Sequence, residues 1–192
     1  MQSLKRKEYS HRDTPILVIF AGPNGAGKTT YAEEFCKRFD LDFINPDTIK
    51  ADNELIRGKL FLQILHKKLD TGNQFSFETT MSGKWLTSFL QKAKEDGYRM
   101  VCFYIFVYPV EILKYRIEER VKKGGHFVDF ETVKRRYKKS LKNFWLMYRK
   151  FFDEWEIVNN TESFKPVARG IKTSFEVEDE FIFNNFIKFL KE

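Results

Sequence analysis

Ile16-Leu17-Val18-Ile19-Phe20-Ala21-Gly22-Pro23-Asn24-Gly25-Ala26-Gly27-Lys28-Thr29 is the stretch whose reading decides the fold. Its first half is continuous, apolar and β-branched, the pattern of a strand buried on both faces. Its second half is a complete G-x-x-x-x-G-K-T, and Thr29 to Phe39 behind it has helical composition with a two-sided pattern. A strand before and a helix after separate a phosphate loop from a chance Gly-rich turn. Gly22, Gly25 and Gly27 let the backbone curl so that successive N–H groups point inward at a polyphosphate. Pro23, Asn24 and Ala26 share the loop and Thr30 follows it, so each is a candidate nucleotide contact. Lys28 can reach the β- and γ-phosphates, and the Thr29 hydroxyl can ligand Mg²⁺. The helix adds the positive end of its dipole. The implied ligand is ATP or GTP.

Working outward, Asp42-Phe43-Ile44 reads as a short second strand ending in Asn45-Pro46-Asp47. Asn53 to Asp70 carries Leu55, Ile56, Leu60, Leu62, Leu65 and Leu69 at helical spacing. Phe75-Ser76-Phe77 is a third strand running into Glu78-Thr79-Thr80, and Trp85 to Asp96 is a helix ended by Gly97. Met100 to Tyr108 is the most apolar strand and is expected near the centre of the sheet. Val110 to Lys123 is helical, Gly124-Gly125-His126 breaks it, and Phe130 to Phe152 resumes as a long helix with Val133, Tyr137, Leu141, Phe144, Trp145 and Tyr148 as its apolar stripe. Trp155 to Asn159 is a last core strand, followed by a hairpin about Arg169-Gly170 and a Phe-rich terminal helix. Alternating strands and helices predict a three-layer α/β P-loop NTPase fold. Its sheet is expected to be mostly parallel, of about five strands, with helices on both faces. Residues 1–13 are expected to form a flexible tail, and 14–192 a single domain.

Composition bounds the rest. At 192 residues, 42% hydrophobic and 32% charged, the chain has the profile of one soluble globular domain. No apolar run approaches the roughly 20 residues of a membrane helix. The polar, mixed-charge Met1 to Asp13 lacks the apolar core of a signal peptide. Cys36 and Cys102 lie outside any C-x-x-C pattern, which points to a reducing compartment, the cytoplasm by default, and to no zinc site. Net charge is +7, and between Lys114 and Lys150 thirteen Lys/Arg stand against four Asp/Glu. A local basic excess suits phosphate handling, and nucleic acid remains a second class of partner.

In such sheets ligands bind beyond the carboxyl ends of the strands. The phosphate loop, Asp47 and Glu78 all follow strands, so the fold brings them to one rim. A carboxylate at Asp47 can take the proton of an acceptor hydroxyl while a phosphoryl group transfers in line; the bland alternative is a helix cap. Glu78 can bond substrate hydroxyls or hold a magnesium-bound water, and Thr80 adds a polar group two residues on; a strand-end turn is the alternative. Arg116 and Arg120 are four apart, hence on one helical face, and Arg135 and Arg136 follow the glycine break. Guanidinium forks suit the charge that spreads over a transferring phosphoryl group. Two arginine-bearing helices joined by a Gly-Gly hinge describe a lid, with Arg120 and Arg136 as its functional arginines. Lys122, Lys123, Lys138 and Lys139 read as a solvated face. His126 is either a phosphate or substrate contact or a local hydrogen-bonding group.

The ordered set of phosphate loop, Ile44-Asn45-Pro46-Asp47-Thr48-Ile49, Glu78-Thr79-Thr80, and Arg120-Val121 through Gly124-Gly125-His126 to Arg135-Arg136-Tyr137 with Ser140-Leu141 and Asn143 resembles the zeta-toxin-like P-loop kinases. It spans Gly22 to about Asn160, and the Gly-Gly-His lid resembles a compact branch. The resemblance implies ATP-dependent phosphorylation of a small-molecule hydroxyl, in characterised members the sugar of UDP-N-acetylglucosamine. It implies Asp47 as catalytic base, Glu78 and Thr80 as substrate contacts, and Arg120 and Arg136 as phosphate-stabilising arginines. It also implies an antitoxin protein as a partner.

Other nucleotide-binding classes fit less well. A GTPase switch lacks support because no N-K-x-D or D-x-x-G motif is present, and an ABC-type signature is absent. Two readings stand beside the nucleotide-sugar kinase. One is a kinase for another acceptor, such as a nucleotide, an antibiotic or an RNA end. The other is a nucleotide-dependent module that grips RNA or a protein without phosphotransfer.

Overall fold

The structure, a computed structural model, describes residues 14–122, 124 and 129–191. In chain order it runs β1 (Ile16–Ala21), α1 (Lys28–Phe39), β2 (Phe43–Ile44), a 3-10 turn (Pro46–Thr48), α2 (Glu54–Asp70), β3 (Phe75–Thr79), α3 (Leu86–Glu95) and β4 (Arg99–Phe106). Then follow α4 (Ile112–Lys122), α5 (Phe130–Asn143), a π turn (Phe144–Tyr148), a 3-10 turn (Arg149–Phe151), β5 (Glu154–Asn159), β6 (Lys165–Ile171), β7 (Ser174–Val177) and α6 (Glu180–Lys191). The tail expected over 1–13 lies outside the described residues, as do Gly125 and His126.

The strands form one sheet in the order β2-β3-β1-β4-β5-β6-β7. The first five run parallel, and they are the five expected. The sheet is nevertheless seven-stranded and mixed, because β6 and β7 add an antiparallel hairpin at one edge. Its turn is at Lys172-Thr173, with Lys172 at φ 53°, and not at Arg169-Gly170. Gly170 lies inside β6 opposite Trp155, where a Cβ would stand 2.5 Å from the indole ring. That glycine makes room for a ring.

Strand β1 sits between β3 and β4, which accounts for its unbroken apolar run: Leu17, Ile19, Phe20 and Ala21 are wholly buried. Period-two alternation sends Phe20 and Phe103 to the α1 face, where they meet Tyr31 and Phe35. Phe77 goes to the other face, against Phe61 of α2 and Phe89 of α3. There too Tyr104 stacks on Phe144 at 4.4 Å and Phe106 meets Phe186 of α6. Helices therefore cover both faces.

Two helical expectations need correction. Residues 130–152 do not form one helix, because after Asn143 the backbone passes through the π and 3-10 turns. This turn region carries Phe144 and Tyr148 into full burial and bonds the Tyr148 hydroxyl to the Gly83 carbonyl at 2.6 Å. In α2 the buried face is Phe61, Leu65 and Leu69, whereas Leu55, Ile56 and Leu60 face solvent.

Candidate functional site

The loop between β1 and α1 is built from backbone that only glycine adopts freely. Gly22, Gly25 and Gly27 have φ of 139°, 79° and 89°. At Gly22 the constraint is also one of space, since a Cβ would stand 1.9 Å from the Ile105 carbonyl oxygen. The Gly22 N–H donates to the Thr79 carbonyl and the Ala26 N–H to the Pro23 carbonyl. Asn53 and Asp129 cap α2 and α5 with their side chains, but Gly27 gives α1 no side-chain cap. The first N–H groups of α1 thus face the loop. Asn24 Oδ1 is buried with no hydrogen-bond partner among the described residues.

Lys28 is buried and its ammonium donates to the Pro23 carbonyl at 3.1 Å. Burial pushes its pKa down; the Glu78 and Asp47 carboxylates push it back up, and the Arg120 guanidinium adds a further downward push. The Thr29 hydroxyl donates to Glu78 Oε2 at 2.8 Å. Phe20 and Glu78 are register partners on β1 and β3, so parallel pairing sets this carboxylate beside the loop.

Asp47 lies in the 3-10 turn, but Asn45 caps that turn by accepting the Asp47 N–H at 2.8 Å. The Asp47 carboxylate instead faces Arg120 of α4, Oδ2 to Nη2 3.4 Å. Arg136 of α5 approaches Glu54 of α2 at 4.0 Å, while its neighbour Arg135 is exposed. Lys28, Glu78, Asp47 and Arg120 therefore form one electrostatic cluster, and the ion-pair partner of Arg136 is Glu54, outside it. Arg116 lies apart from it and donates to the Thr161 carbonyl at 2.9 Å. Thr80 bonds Ser82 at 2.9 Å, and Thr30 is exposed on α1. His126 lies outside the described residues.

Sequence reasoning missed Glu54 and the Asn159-Asn160-Thr161 segment. Asn160 Nδ2 donates to the Ala26 carbonyl at 2.9 Å, and the Thr161 hydroxyl donates to the Tyr108 carbonyl. A usable signal was present: three consecutive polar residues close and follow β5, which is parallel to the strands that lead to Asp47 and Glu78. Nothing local marks Glu54, which reads as an ordinary first-turn acid.

The loop geometry, the uncapped α1 and the buried ammonium fit a polyphosphate. Thr29 Oγ1 and Glu78 Oε2 are hard oxygen donors of the kind Mg²⁺ takes. No helix among the described residues is long and apolar enough to cross a membrane.

Comparison with known proteins agrees with this architecture. An uncharacterized protein of Haemophilus influenzae is 30% identical over 128 residues, which is 62% of this chain and 91% of that protein. The AvrRxo1-ORF1:-ORF2 complex with ATP superposes at a TM-score of 0.70 with 18% identity, over 90% of this chain and 63% of that one. This chain thus spans less than two thirds of that neighbour. The PezAT chromosomal toxin–antitoxin system of Streptococcus pneumoniae superposes at 0.62 with 16% identity, over 99% of this chain and 91% of that one. These structures share the α/β P-loop kinase-like fold. The AAA domain family model matches residues 17–144, from β1 to the end of α5 and through the phosphate loop, so the chain belongs to the AAA domain family.

Proposed function

We propose that this chain is a zeta-toxin-like P-loop phosphotransferase that moves the γ-phosphoryl group of ATP to a hydroxyl of a small molecule, with a nucleotide sugar such as UDP-N-acetylglucosamine as the leading acceptor. The observation that carries the reading is the approach of Arg120 to Asp47 at 3.4 Å beside Lys28. An anion-binding loop, a carboxylate able to take a proton, and a guanidinium able to meet developing charge lie on one rim.

In the mechanism, residues 22–30 hold the ATP phosphates and Arg116 contacts the nucleotide. Thr29 and Glu78 would hold Mg²⁺, which supplies charge neutralisation on the phosphates when bound. Glu78 and Thr80 also meet the acceptor, with His126 of the Gly-Gly-His segment as a further contact. Asp47 accepts the acceptor proton as the new O–P bond forms and the bond to the β-phosphate oxygen breaks. Lys28, Arg120 and Arg136 stabilise the charge that collects on the transferring group and on the leaving ADP. Helices α4 and α5 act as a lid that excludes water.

We place residues 14–192 in one domain and the protein in a reducing cytoplasm, in keeping with two buried free cysteines. The toxin–antitoxin neighbour makes an antitoxin protein a reasonable partner to seek. The deciding experiment is incubation with labelled ATP and a panel of UDP-sugars, nucleosides and small sugars. A labelled acceptor supports the proposal. ATP binding without transfer to any acceptor, coupled to RNA affinity that falls steeply with salt, would favour the binding-module reading.

A further inference from the structure

The segment that follows β5 is tied to the phosphate loop by a side chain without any role in the chemistry above. Asn160 is itself held in place: its N–H donates to the Phe106 carbonyl at the end of β4, at 2.8 Å. Its side-chain amide then reaches across to the Ala26 carbonyl at 2.9 Å. The approach is close, for a Cβ on Gly27 would stand 2.4 Å from Asn160 Nδ2. Gly27 is therefore required twice, by its φ of 89° and by the Asn160 amide.

Ala26 and Gly27 share a planar trans peptide, in which C=O and N–H point in opposite directions. A donor that fixes the carbonyl on one side fixes the N–H on the other. We propose that Asn160 is a positioning residue of the phosphate loop: by anchoring the Ala26 carbonyl it turns the Gly27 N–H toward the bound polyphosphate. The next residue extends the brace. The Thr161 hydroxyl bonds both backbone groups of Tyr108, and the Thr161 carbonyl accepts from Arg116. One short segment thus sets the loop and the Arg116 guanidinium relative to each other. Preorganised donors of this kind spare the ligand the cost of ordering the loop.

This inference rests on the proposed polyphosphate site. The test uses Asn160→Ala, and Asn160→Asp as a near-isosteric variant that keeps the fold but has no donor. Affinities for ATP, inorganic tripolyphosphate and adenosine are measured by competition against a fluorescent ATP analogue, alongside thermal melting. Loss of one hydrogen bond to the loop should weaken ATP and tripolyphosphate by about tenfold in Asn160→Ala. The loss should be larger in Asn160→Asp, whose carboxylate faces a carbonyl and an anion, while adenosine affinity stays unchanged. A purely structural role predicts lower melting temperatures with adenosine and tripolyphosphate weakened alike, and that result overturns the inference. Equal ATP affinity in wild type and both variants overturns it as well and leaves the phosphotransferase reading standing. Failure of the wild-type protein to bind tripolyphosphate or ATP overturns both.

Discussion

Asp47→Asn separates the chemistry of the rim from its architecture. The substitution keeps the side-chain shape, and the turn keeps its cap, because Asn45 and not Asp47 accepts the capping N–H. The stability at stake is the Arg120 pair, whose two side chains are 44% and 58% exposed at 3.4 Å. Exposed pairs of this kind contribute up to about 1 kcal/mol, equivalent to about 2–4 °C in Tm for a chain of this length. Transfer is different. A positioned general base contributes about two to four orders of magnitude, or about 3–5 kcal/mol of barrier. ATP should bind no more weakly, since Arg120 loses the carboxylate that neutralises it. The assay combines transfer from labelled ATP, equilibrium titration of ATP and thermal melting on the same preparation. Transfer within about threefold of wild type, with ATP affinity retained, would refute Asp47 as the base.

Four further outcomes are expected. Lys28→Met should abolish nucleotide binding yet raise the melting temperature of the free protein by about 2–4 °C, because it removes a cation whose burial is unfavourable; a lower Tm contradicts the burial argument. Gly22→Ala should destabilise by more than about 3 kcal/mol, since its Cβ meets the Ile105 carbonyl at 1.9 Å. Gly72→Ala, with φ of 66° but open space around it, should cost only about 1 kcal/mol in denaturant titration. Burial pushes the Glu156 carboxyl up, Glu178 adds to this and Arg169 opposes it. A raised folded-state pKa gives a contribution that is full below the ordinary glutamate value and lost as pH rises through the folded value. Glu156→Gln should therefore match wild type in acid and exceed it at about pH 7 in a Tm-versus-pH series.

Residues that announce themselves locally were legible. The phosphate loop follows an apolar strand, and Asp47 and Glu78 follow strands whose parallel pairing carries them to one rim. Partners chosen across the fold were not. Glu54 becomes the neighbour of Arg136 only when α2 and α5 are brought together, and Asn160 finds the Ala26 carbonyl only through the β4–β5 pairing. The α2 leucines misled because helical spacing shows an apolar face without showing which side will be covered. The β6–β7 hairpin was placed at the wrong residues because Gly170 resembles a turn glycine and serves a tryptophan instead. The π turn has no sequence mark, since Tyr137, Leu141, Phe144 and Tyr148 keep helical spacing through it and all of them reach the core.

The aromatic packing also gives the protein two separate optical reporters. Trp145 and Trp155 lie 5.9 Å apart in a cluster with Phe175, with the Arg149 guanidinium 3.9 Å over the Trp145 ring. Both sit beside the antiparallel edge of the sheet. Trp85 belongs to a different environment, packed on Phe61 and Phe89 at the end of the loop that carries Thr80 and Ser82. A Cβ on Gly83 would stand 3.0 Å from its indole, so the loop lies close against the ring. Trp85 emission therefore reports on the α2–α3 side of the sheet, and emission that responds to melting of the hairpin edge reports through the Trp145–Trp155 pair. Replacing Trp85 with phenylalanine would leave the Trp145–Trp155 pair as the only tryptophan emitters.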